Sequence, residues 1–139
     1  MDKSNSSMAR QLAQAASAFQ RQRTGHEPKS VIAVLSGDTV VVTLHGALTP
    51  AETALAQTPA GASQVQEFHR QLFSTSCEAL RGEIKRITGV AVRQAAAEVE
   101  PNSGTVVQVF STGTMVQVFL LAHNVAVEDC GTSGDKSRC

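Results

Sequence analysis

An α+β fold is predicted for this 139-residue chain, and three features predict it. Two runs rich in β-branched residues, 30–35 and 39–44, are separated by Ser36-Gly37-Asp38, the spacing of a β-hairpin. Two more runs, Val106 to Phe110 and Met115 to Leu121, flank Ser111-Thr112-Gly113-Thr114 and read as a second hairpin. Between the two pairs, apolar residues recur at helical spacing. The expected architecture is an antiparallel sheet of about four strands, covered on one face by two long helices, with an amphipathic helix in front.

In chain order, Leu12, Ala15, Ala16 and Phe19 mark the first helix, residues 7–23. Its stripe is thin, so the helix gains stability only by docking on another element or a second subunit. Gly25 and Pro28 end it. After the first hairpin, Thr49-Pro50-Ala51-Glu52 has the residues of a capping box, with Thr as cap, Pro in the first helical position and Glu three residues on. Thr58-Pro59 repeats the start after about two turns. Thr75-Ser76-Cys77-Glu78 repeats the box spacing inside a helical stretch, which predicts a break near residues 74–76. Val65, Phe68 and Leu72 form the stripe before that break, and Leu80, Ile84 and Ile87 the stripe after it. Gly89 stops the helix. Residues 90–100 are open: Val90-Ala91-Val92 suits a strand and Arg93 to Glu98 a helix. Pro101 to Gly104 is a turn.

Length fits one domain of about 100–150 residues. The expected division is a flexible stretch at 1–6, one domain at 7–127 and a flexible tail at 128–139. Twelve basic residues balance twelve acidic ones, and there is no Trp or Tyr. Without a net field or stacking platforms, nucleic acid is not an expected partner. No apolar stretch resembles a secretory signal or a membrane span, so a cytoplasmic protein without direct membrane insertion is expected. Cys77, Cys130 and Cys139 form no Cys-x-x-Cys pair and fit a reducing compartment.

Chemistry is sparse. His26, His45, His69 and His123 lack metal-ligand spacing and are read as surface or turn residues, so no metal site is expected. Cys77 at a helix start would have a lowered pKa, but no histidine stands near it in sequence, so an inert thiol is the preferred reading. The tail segment 131–137 superficially resembles a phosphate loop, yet its spacing is wrong and no helix follows. Glu52 and Glu78 are assigned to capping boxes. No catalytic residue and no cofactor is expected. His26, Glu27 and Lys29, in a polar loop between helix and strand, form the candidate interaction site, with a plain turn as the alternative. Pro28, Thr49, Pro50 and Glu52 are read as fixing the fold.

Residues 25–89 resemble the MpsC-like family of small bacterial proteins, described as components of a Na+-translocating, membrane-potential-generating system. The matching segments are Gly25 to Val31, Asp38 to Val42, Gly46 to Glu52 and Ile87 to Gly89. Leu48-Thr49-Pro50-Ala51-Glu52 is the most specific. The C-terminal third departs from the family pattern: whether residues 94–98 and 107–110 or residues 112–119 take the final motifs, its histidine is missing. The resemblance implies an accessory protein of Na+- or bicarbonate-linked membrane transport, held at the inner membrane through a protein partner.

The function expected is therefore a non-catalytic accessory or regulatory protein-binding module. A homodimer is expected because a sheet of Val and Ile with few charges leaves apolar surface exposed in a monomer. The alternatives are a small-molecule-binding enzyme and a self-assembling structural protein using the repeated Val-Gln-Val-Phe strands as exposed edges.

Overall fold

A computed structural model describes residues 3–101 and 113–125. The order is α1 (Lys3–Thr24), β1 (Ser30–Ser36), β2 (Thr39–His45), α2 (Pro50–Leu55), α3 (Pro59–Thr88), β3 (Val92–Val99) and β4 (Met115–Leu121). One antiparallel sheet holds all four strands in the order β1-β2-β4-β3, and the helices α1 and α3 pack against it and against each other. The α+β class and the four-stranded sheet are as expected.

The first hairpin pairs Ser30 with His45 through Ser36 with Thr39, and Gly37 takes the left-handed φ of 61° that its turn requires. The partner of β4 on its outer side is β3, with Val99 opposite Met115 and Val92 opposite Leu121. The ambiguous stretch 90–100 is thus resolved as strand. Arg93 to Ala97 have adequate helix propensity, but pairing with β4 decides their state. The run 106–110 and the tail 128–139, with Cys130 and Cys139, lie outside the described residues.

Alternation places Val40, Val42 and Leu44 of β2 and Met115, Gln117, Phe119 and Leu121 of β4 on the helix-covered face. Leu12, Ala16 and Phe19 of α1 and Val65, Phe73, Leu80 and Ile84 of α3 meet them. Phe73 and Phe119 stack at 5.9 Å between centroids. Full burial of a ring like that of Phe119 contributes roughly 2–3 kcal/mol. Gln117 is also fully buried there, and among the described residues the Met115 sulfur, 3.8 Å from its Nε2, is its side-chain partner.

The predicted break near residues 74–76 does not occur: α3 is continuous from Pro59 to Thr88. The Thr75 hydroxyl bonds back to the Gln71 carbonyl at 2.9 Å, the in-helix alternative to capping. Buried positions Val65, His69, Phe73, Leu80, Ile84 and Thr88 continue through the supposed break, so packing holds the helix continuous. The inner stripe is rotated from the expected one, leaving Phe68 49% exposed. At the far end Gly89 closes the helix in the left-handed conformation, its amide bonded to the Lys85 carbonyl.

Candidate functional site

The motif segments from either side of the first hairpin meet at one end of the sheet. Gly25 ends α1 with φ 76°, and its amide bonds to Arg21 O. His26 then turns inward, and its Nε2 lies 3.0 Å from the Gly46 carbonyl oxygen. The Lys29 amide donates to the His45 carbonyl at 2.8 Å, extending the β1–β2 ladder beyond the strands. Gly46 has φ 64°, and a Cβ there would stand 2.8 Å from the Lys29 Cγ, so the lysine stem crosses its backbone. Pro28 is buried while Glu27 and Lys29 remain exposed.

The next layer ties this corner to β3 and β4. Ala47 N donates to Gly113 O, Gly113 N to Glu100 O, and Glu100 N to Thr114 O, all at 2.7–2.8 Å. Glu100 and Thr114 are each 1% exposed.

The capping box at α2 forms as its sequence predicts. The Thr49 hydroxyl accepts from the Glu52 amide at 3.1 Å, and Glu52 Oε1 accepts from the Thr49 amide at 2.9 Å. The other Glu52 oxygen, Oε2, lies 2.8 Å from Nε2 of His69, whose side chain is 2% exposed. An ionised carboxylate only accepts, so His69 Nε2 is the donor. Burial pushes the Glu52 carboxyl up, but the hydrogen bonds from His69 and from the Thr49 amide together hold it below its ordinary value. One carboxylate thus caps α2 and clamps it to α3.

His69 was read from sequence as a surface or turn residue, and the structure corrects this. The usable signal was its spacing: Val65, His69 and Phe73 are four apart, which places the imidazole on the buried stripe. The helix start expected at Cys77 is absent: the residue is half-buried in the middle of continuous α3. Glu78 likewise caps nothing.

A surface groove of about 490 Å³ runs between α3 and the outer edge of β3, lined by Arg70, Cys77, Glu78, Arg81 and Glu98 among others. Its charges are largely engaged within the fold. Arg70 Nε donates to Glu98 at 2.9 Å, and Arg81 donates to the Val92 carbonyl at 3.2 Å. Among the described residues no group of three or more His, Cys, Asp or Glu side chains is placed to hold a metal ion. No helix among them is long and apolar enough to cross a membrane.

These features define a small α+β protein built on a four-stranded antiparallel sheet, with its sequence motifs gathered at one sheet end rather than around a cavity. The chain belongs to the MpsC family, whose model, "Na+-translocating membrane potential-generating system (MpsC)", matches residues 4–121. It is also similar to "Uncharacterized protein YbcI" of Bacillus subtilis (strain 168), with 26% identity over 110 residues, covering 79% of this chain and 89% of that one. No solved structure matches it.

Proposed function

We propose that the protein is a non-catalytic accessory module that binds a protein component of a Na+-linked membrane-potential-generating or bicarbonate-linked system, acting from the cytoplasmic side of the inner membrane. The family match supports the association with a Na+-translocating, membrane-potential-generating system. The observation that carries the binding role is the display of Glu27 and Lys29. Both are exposed, neither forms an ion pair among the described residues, and they flank buried Pro28 on a loop held by the His26–Gly46 and Lys29–His45 hydrogen bonds. A fixed backbone presenting charges of both signs loses little conformational entropy on docking, which favours selective contact with a complementary partner. Thr49, Pro50, Glu52 and Pro28 hold that loop's surroundings in place.

The test is chemical cross-linking in the native host, followed by identification of the partner in the membrane fraction. A cross-link from Lys29 to a subunit of a Na+- or bicarbonate-linked membrane complex is the expected result. Cross-links confined to soluble proteins would overturn the reading.

A further inference from the structure

Among the described residues, the sheet face opposite α1 and α3 carries an apolar patch at its centre. Register places Ile32 and Val34 of β1, Val41 of β2 and Val116, Val118 and Leu120 of β4 together on the side that neither α1 nor α3 covers. Ile32 and Val34 are each 55% exposed. A sheet with one solvated face alternates apolar inward with polar outward, whereas strands buried on both faces read as nearly continuous apolar runs. β4 and residues 31–35 of β1 follow the second pattern, while β2 turns Thr39 and Thr43, and β3 Gln94 and Glu98, to this side. In β4 the one strongly polar side chain, Gln117, points into the covered core, and the outward positions beside it are valines.

We infer that this open face is the interface with a second copy of the chain, forming a two-fold symmetric sandwich of two sheets. Seven-residue strands at about 3.3 Å per residue and four strands at about 4.8 Å spacing give roughly 440 Å² in projection per copy. Two copies bury about 900 Å² in projection, and side-chain relief carries the accessible area past the roughly 1,000 Å² that a specific interface needs. The central strands put no Asp, Glu, Lys or Arg on this face, and Glu98 of edge strand β3 is bonded by Arg70 at 2.9 Å, so the centre of the patch meets its own copy without like-charge repulsion, as an isologous contact demands. Sheets stacked in this way lie about 10 Å apart, with strand directions within about 30°. The inference is independent of the membrane reading above.

The experiment uses the purified full chain alone, measured by light scattering with size exclusion at micromolar concentration. The expected mass is twice 14.6 kDa. Val118→Lys, in an interior strand away from both sheet edges, is expected to give a single-chain mass with its cooperative melt retained. The Ile32→Ser, Val34→Ser double variant provides a second reading should Val118→Lys fail to fold. It replaces side chains already half-exposed in one chain and preserves the β1 backbone, so dimers made by edge-to-edge pairing of β1 would survive it. Expected is at least a tenfold weaker dimer. A single-chain mass for the parent overturns the inference, whether or not that monomer sediments with phospholipid vesicles. So does a double variant that dimerises as tightly as the parent.

Discussion

Replacing Glu52 with alanine removes three interactions at one point: the acceptor for the Thr49 amide, the acceptor for His69 Nε2, and the negative charge in the first turn of α2. The largest cost is at His69, whose ring is enclosed and loses its one hydrogen-bonded neighbour among the described residues, at 2.8 Å. An unsatisfied buried donor costs about 1–3 kcal/mol, and loss of the box's return bond adds several tenths more. Glu52→Ala is expected to lose about 2–3 kcal/mol, against about 1 kcal/mol for Thr49→Ala, which removes only the forward cap. For a domain of this size each kcal/mol lowers Tm by roughly 3–5 °C, so circular dichroism melts should show Glu52→Ala about 6–15 °C below the parent. The Glu52→Ala, His69→Leu double variant should recover part of this loss, because no buried donor is left. A Glu52→Ala melt within 1 °C of the parent would refute the assignment of Glu52 as a clamp.

The same carboxyl predicts a pH dependence. Its folded pKa is depressed, so its contribution is fully present above its unfolded value of about 4.3 and is lost as pH falls through the folded value; Glu52→Gln should flatten that acid limb in melts taken from pH 6 to 3. Thr75→Ala should leave the melt unchanged or raise it by a degree or two, because the residue sits inside a continuous helix; a loss equivalent to about 1 kcal/mol would restore the capped break. Gly61→Ala should destabilise by well over 2 kcal/mol, since a Cβ there runs into the Leu55 backbone carbonyl at the α2–α3 corner; an unchanged denaturant midpoint would contradict that packing.

The strands and helix starts were legible because their signals are local. Ser36-Gly37-Asp38 sets a turn, and Thr49-Pro50-Ala51-Glu52 satisfies its own orphan amides, so neither depends on distant residues. Thr75 misled because a capping-box spacing is equally compatible with a hydroxyl bonding back to the i−4 carbonyl, and packing along Phe73, Leu80 and Ile84 chooses between them. Residues 93–97 became strand only through β4, a partner about twenty residues away. At the candidate site, the Thr49–Glu52 box was readable, but its extension to His69 joins residues 17 apart across two helices. The meeting of His26 with Gly46 likewise required the hairpin to fold first.

The most direct test of the proposed role is recovery of the proposed membrane partner by tagged chain carrying Glu27→Lys and Lys29→Glu, beside the Thr49→Ala variant, at a temperature where all are folded. The account predicts that charge reversal lowers recovery at least tenfold with little change in Tm, because both side chains are exposed and unpaired among the described residues. It predicts that Thr49→Ala lowers Tm and leaves recovery at the parent level. Undiminished recovery by the charge-reversed chain, or loss of the partner by a fully folded Thr49→Ala chain, would contradict it.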